Sequence, residues 1–164
     1  MKRVKHYAKE ILYFIVTITI LTNVISLYKS KDLTQTPLSI TSAKLIDNQL
    51  YQIPGNRPVL IHFWATWCPT CKLEAANINF LSKHFNVLTI AVKSGTNQEI
   101  QKYLEEHDYK YKVVNDANGA IASQFKISGF PTTFVYDKNK KLTFSEVGYT
   151  STLGLALRVW WAGL

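Results

Sequence analysis

Cys68 and Cys71 are the only cysteines in the 164-residue chain, and they lie in the run Trp64-Ala-Thr-Trp67-Cys68-Pro69-Thr70-Cys71. A Cys-x-x-Cys pair serves zinc binding, haem attachment, a structural cross-link or thiol–disulfide exchange. Zinc wants four ligands, yet there is no second cysteine pair, and His6, His62, His84 and His107 are scattered without ligand spacing. Covalent haem attachment needs His directly after the second cysteine, where this chain has Lys72. A purely structural disulfide would close too small a loop to stabilise much. Exchange is favoured by placement. The strand-forming run Val59-Leu-Ile-His-Phe-Trp64 delivers Cys68 to the first turn of a helix, where unpaired N–H groups and the positive end of the helix dipole favour the nucleophilic thiolate.

The elements that must hold this pair follow from periodicity. Pro54-Gly55-Asn56-Arg57-Pro58 is a turn cluster ahead of the strand. Behind it a helix is expected to run from the cysteines to about Phe85, with Pro69 tolerated in the first turn. Residues Cys71, Glu74, Ile78, Leu81 and Phe85 form its inward stripe, spaced 3-4-3-4. Glu74 then lies beneath the cysteines, unless it is a flank carboxylate reaching solvent. The run 86–92 reads as the next strand, Thr96 as the cap of a helix over 98–107, 111–115 as a strand and 116–125 as a short helix. Alternating strands and helices imply parallel pairing. The pattern then changes: 131–136 and 142–147 read as an antiparallel hairpin around Asp137-Lys-Asn-Lys-Lys141, and Ser151 caps a last helix over 152–161. Upstream, two weakly alternating segments at 38–43 and 49–53, around Asp47-Asn48, read as another hairpin.

Residues 1–10 are a basic lead, and residues 11–28 carry no charge. Eighteen residues as a helix reach roughly 27 Å, enough to cross a bilayer core. Bulky residues at the end of the stretch disfavour a cleaved signal peptide, and the length disfavours a buried core helix, although both remain alternatives to an uncleaved anchor. The preceding Lys/Arg excess would leave the N-terminus in the cytoplasm and the domain outside, with Tyr13 and Tyr28 as interface residues. Residues 29–38 are polar and read as a tether, leaving 39–164 as one domain. Six of the 19 basic residues flank the apolar stretch. The mild excess in the remainder, without a basic stripe interleaved with aromatics, argues against nucleic-acid binding.

Phe63-Trp-Ala-x-Trp-Cys-x-x-Cys on a strand–helix junction, with Gly129-Phe-Pro-Thr132 about sixty residues later, resembles the thioredoxin superfamily. The apolar N-terminus, the hairpin and the Trp-Ala-Thr-Trp-Cys-Pro run are similar to the membrane-anchored TlpA-like thiol-disulfide oxidoreductases, which include the cytochrome c maturation reductants and the copper-sensitivity-suppressor D type. The resemblance covers about residues 37–162. It implies an α/β thioredoxin fold: a central mixed sheet flanked by helices, with an N-terminal β-hairpin extension and a separate transmembrane helix. It further implies that Cys68 is the exposed nucleophile, Cys71 the buried resolving thiol in a Cys68–Cys71 disulfide, and Pro131 a cis-proline facing it. Trp67, Pro69, Thr70, Phe130 and Pro131 would then meet the partner chain, and Glu74 would exchange protons with Cys71. His62 stands where thioredoxin has a buried Asp; it is either a satisfied core group or a tuner of the cysteines. The implied partners are periplasmic protein thiols and disulfides and a membrane electron donor, with the bilayer engaged through 11–28. Exchange requires no metal or organic cofactor. The same residues also permit a dithiol oxidase, or a non-enzymatic module that handles copper or haem through its thiols, although no methionine cluster supports the latter.

Overall fold

The computed structural model describes residues 2–164, without the side chains of residues 2–6, 8, 15, 19, 22, 23, 27 and 29. Helix α1 (Lys2–Ser30) is followed by a two-stranded antiparallel ribbon, β1 (Ser42–Lys44) and β2 (Leu50–Gln52). Next come β3 (Val59–Trp64), α2 (Pro69–Ser82), β4 (Val87–Val92), α3 (Asn97–Glu106), β5 (Lys112–Asp116), α4 (Ala120–Gln124), β6 (Thr132–Tyr136), β7 (Leu142–Val147) and α5 (Thr152–Ala162).

The main sheet has the order β5-β4-β3-β6-β7. β3, β4 and β5 are parallel, and β6 and β7 run antiparallel to their neighbours. The chain therefore crosses twice in the same direction, through α2 and α3, which puts both helices on one face. α4 returns on the other face to start β6.

β3 is buried along its whole length and divides its residues between two cores. Leu60 and Trp64 pack under α2, α3 and α5 with Ile78, Leu81, Ile100, Leu155 and Val159. Val59, Ile61 and Phe63 face the opposite core with Phe125 and Phe134. A strand buried on both faces reads as a continuous apolar run, which is what Val59–Trp64 is apart from His62.

Several boundaries differ from expectation for local reasons. α2 stops at Ser82 rather than Phe85, because the N–H groups of Lys83 and His84 turn back to the carbonyls of Phe80 and Leu81 and tighten the chain. α4 is shorter than 116–125 because Asp116 belongs to β5. Its carboxylate accepts from the N–H groups of Ile121 and Ala122, a cap reaching over Gly119, which has φ +78°. Residues 29–38 do not hang free: Leu33 and Leu38 are buried in the second core, and the N–H of Thr34 donates to Phe125 O.

The anchor expected over 11–28 falls within α1. Among the described residues no helix is long and apolar enough to cross a membrane. The last turns of α1 lie along β7, the open edge of the sheet, where Val147 N–H donates to Ser26 Oγ at 3.1 Å. An edge strand otherwise presents unpaired backbone groups, and α1 covers part of this one.

Candidate functional site

The site forms where β3 ends. After Trp64 the chain turns through Ala65-Thr-Trp67, with Cys68 N–H donating to Ala65 O, and Cys68 becomes the N-cap of α2. The cap places a free helical N–H on sulfur: Cys71 N–H donates to Cys68 Sγ at 3.1 Å. Pro69 occupies the first helical position, where its missing N–H costs nothing. Cys68 and Cys71 are joined in a disulfide with Cα atoms 5.3 Å apart.

One expectation needs correction. Cys68 is not exposed in this oxidised form: it is 5% accessible, against 2% for Cys71. Both cysteines belong to the core cluster beneath α2, together with Trp64 and Ala65.

The surface around the disulfide is aromatic. Trp67, 57% exposed, is pinned by its indole N–H, which donates to Lys93 O at 3.0 Å. Its ring meets Phe130 edge-on at 5.6 Å, bringing the 129–131 loop beside the Cys68 turn. The Phe130–Pro131 bond is cis, and Pro131 is buried with its carbonyl accepting from Gly148 N–H at 2.8 Å. Pro69 is exposed and Thr70 half-buried. Thr66 N–H donates to Ser94 Oγ, which ties the Cys68 turn to the end of β4.

Glu74 does not reach solvent. It is 0% exposed on the inward stripe of α2. Oε1 accepts from Thr150 N–H at 2.8 Å, and Oε2 has no hydrogen-bond partner among the described residues. Burial pushes its carboxyl up to about 8, the Thr150 N–H opposes the rise, and the charge of Glu146 adds to it. Glu74 is therefore mostly protonated at pH 7.

His62 behaves as a core group. Its Nδ1 is 2.9 Å from Thr133 Oγ1 on the paired strand β6, and burial drives its pKa down to about 3. It is neutral at ordinary pH, so it places no positive charge beneath the cysteines.

Four polar residues that the sequence reading did not single out, Thr150, Glu146, Arg158 and Asn77, form a network that reaches Glu74. Thr150 Oγ1 donates to Glu146 Oε2 at 2.7 Å, and Glu146 Oε1 accepts a short hydrogen bond from Arg158 Nη2. Arg158 Nη1 also donates to Gly154 O at 2.9 Å, and Asn77 Nδ2 donates to Thr150 O at 3.2 Å. α2, β7 and α5 are thus joined by one polar chain that ends on Glu74. A signal for it existed: Glu146 shares its strand face with Phe144, which packs on the core beneath α2, so a carboxylate stood in an inward phase.

Comparison with known proteins adds the family. The AhpC/TSA family model matches residues 33–145, which contain both cysteines but stop short of Glu146, Thr150 and Arg158. A thioredoxin-like protein of Haemophilus influenzae is 29% identical over 163 residues, covering 98% of this chain and 97% of that protein. The thiol:disulfide interchange protein DsbE of Escherichia coli is 32% identical over 122 residues, covering 70% of this chain and 63% of DsbE. The chain spans only about half the length of the thiol-disulfide oxidoreductase ResA of Oceanobacillus iheyensis that it matches, 50% of that protein. Among solved structures, a putative thioredoxin from Neisseria meningitidis superposes with a TM-score of 0.68 at 20% identity, covering 79% of this chain and 90% of that one. The likeness shows the thioredoxin fold.

Removing the Glu146 charge should lower the pKa of Glu74, because a like charge across Thr150 disfavours ionisation. The carboxyl carbon of Glu74, followed by NMR, should titrate near 8 in the native protein and at lower pH in Glu146→Gln. An unchanged or higher midpoint would mean that burial alone sets the value.

Proposed function

The chain belongs to the AhpC/TSA family, and from that premise we propose that it is a protein thiol-disulfide oxidoreductase of the membrane-anchored TlpA-like type, reducing partner disulfides outside the cytoplasm. The observation that carries the reading is the Cys68–Cys71 pair at the N-terminus of α2, with a backbone N–H on the Cys68 sulfur. That hydrogen bond and the helix dipole stabilise negative charge on Cys68 in the dithiol form.

In the reductive direction the Cys68 thiolate attacks one sulfur of the partner disulfide. An Sγ–S bond forms, and the partner's other sulfur leaves as thiolate. Cys71, once deprotonated, attacks Cys68 Sγ, releases the second partner sulfur and closes the Cys68–Cys71 disulfide. Two electrons pass from the dithiol to the partner, and the reverse sequence recharges the protein from a membrane electron donor. Both atoms of the exchange belong to this chain and its partner, so no cofactor enters.

Glu74 serves the Cys71 half of the cycle. A carboxyl pushed to about 8 is close to an ordinary thiol near 8.5, and proton transfer between groups of similar pKa is efficient in both directions. Trp67 and Phe130, edge to face beside the cysteines, form the surface on which the partner backbone lies, with Pro69, Thr70 and Pro131 completing it.

The anchor is residues 11–28, uncharged between basic flanks, with 1–10 in the cytoplasm and the domain in the periplasm or its equivalent. α1 is one unbroken element over this stretch, 29 residues long. The domain begins directly after it. Alkaline carbonate extraction should leave the chain in the membrane pellet, and protease should reach the domain from the outer side only; release of a soluble form starting near residue 29 would show cleavage instead.

Cys71→Ser should accumulate mixed disulfides with its partners, resolved on non-reducing gels, whereas Cys68→Ser should form none. Partners released from Cys71→Ser as fast as from the native chain would reverse the two roles.

Direction is tested by potential. Pro69-Thr70 places neither charge nor imidazole between the cysteines, and His62 and the protonated Glu74 are both neutral at pH 7, so the thiolate gains chiefly from the helix terminus. Stabilisation of the thiolate is moderate, so the couple should lie nearer about −270 mV than the about −120 mV of a strong periplasmic oxidant. Equilibration against dithiothreitol or glutathione buffers measures it, and a value above roughly −150 mV would make the chain a dithiol oxidase.

A further inference from the structure

α2 and α5 lie side by side on the same face of the sheet, joined where Asn77 donates to Thr150 O. α5 buries Leu155, Val159 and Ala162. Its opposite face carries Leu153, Leu157, Trp160 and Trp161, exposed by 68, 54, 58 and 62%. The spacing i, i+4, i+7, i+8 makes these one stripe. On α2 the outward positions beside it are Leu73 and Phe80, exposed by 72 and 52%. A soluble surface rarely leaves two adjacent helices apolar on their outer side without a use for them.

Apart from Glu146, which pairs with Arg158, the charges around this face are basic. The two helices carry a single acid, Glu74, and it is fully buried; their bases are Lys72 and Arg158, with Lys83 immediately after α2. At the end remote from the cysteines a cavity of about 520 Å³ is lined by Arg57, Lys83, His84 and Lys112 together with Trp160, and no acidic side chain borders it.

We propose that this face docks on an anionic phospholipid bilayer, with Trp160 and Trp161 at headgroup depth and a lipid phosphate at the basic cavity. An apolar face with paired indoles and a mainly basic margin has the character of an interfacial helix, and its net charge complements an anionic leaflet. A second copy fits poorly, since self-pairing would set Lys72, Lys83 and Arg57 against their own kind. The end of α1 agrees with the placement, because Ser26, Ser30 and Lys31 line one cavity with Arg158 of α5 and its partner Glu146. Docked in this way, the domain would lie along the membrane with the Cys68 end left open to a membrane-embedded donor. Docking is independent of whether α1 spans the bilayer.

The four tryptophans make the test direct, since α1 has none and Trp64 is buried. The full chain is reconstituted in nanodiscs of phosphatidylglycerol and phosphatidylcholine whose acyl chains are brominated near the headgroup. Bromine should quench tryptophan emission at least about twofold more in the native chain than in Trp160→Phe/Trp161→Phe, and the difference should shrink in phosphatidylcholine alone or in about 0.5 M salt. Arg57→Glu/Lys83→Glu should reduce it likewise while leaving insulin reduction unchanged. Equal quenching of the native chain and the double tryptophan variant overturns the proposal, and so does a difference indifferent to lipid charge. Co-elution with the disc reports α1 separately: a chain that fails to co-elute refutes the anchor, and the same quenching difference is then read on preformed vesicles.

Discussion

A carboxylic acid sealed beneath a disulfide is the constraint on which much of this molecule turns. Glu74 is taken fully out of water, and one oxygen is left with a single backbone donor. Burying a charge so poorly compensated is costly, so the group keeps its proton instead. Its donor, Thr150 N–H, belongs to the connection between β7 and α5. That connection is held by Asn77 from α2 on one side and by Glu146 with Arg158 on the other. The environment of the acid therefore depends on three elements far apart in sequence meeting within a hydrogen bond's length.

The sheet makes that meeting possible. β3 carries the cysteines at its end, and β6, beside it, carries the cis Phe130–Pro131 bond at its start. Antiparallel pairing of these two strands puts the end of one beside the beginning of the other. Trp67 and Phe130 then touch without either loop being long. β7 continues the antiparallel half and delivers Glu146 and Thr150 toward the first turns of α2. The parallel half, β3-β4-β5, supplies the rigid floor and the Ser94 hydroxyl that holds the Cys68 turn.

Much of this was legible in the residues because it is governed by local periodicity. The run Val59–Trp64, the 3-4-3-4 stripe on α2 and the Thr96 and Ser151 caps all encode nearest-neighbour physics, and the capping hydrogen bonds are present. The Glu146–Thr150–Arg158 chain was not legible in the same way. A side chain accepting from a backbone N–H 76 residues away leaves no periodic trace. Leu33 and Leu38 were misread for a related reason: two leucines in a polar stretch define no helix or strand, yet each finds a place in the second core. The burial of Cys68 was also beyond pattern, since the first turn of a helix reads as an exposed position.

His62 and Glu74 make the site's stability depend on pH in opposing ways. His62 is held near 3 in the fold against 6.5 in the open chain, so below pH 6.5 the unfolded chain gains a proton that the native one refuses, and acid destabilises. Glu74 is held near 8 against 4.5, so above pH 4.5 the unfolded chain releases a proton that the native one keeps, and alkali destabilises. Between those two open-chain values the slopes cancel, because one group's uptake on unfolding matches the other's release. Stability from this pair is level there and falls on either side, until each native value is passed. Above pH 6.5 only the Glu74 slope remains, so the fold gives up stability from there to about pH 8 to keep that proton within the core.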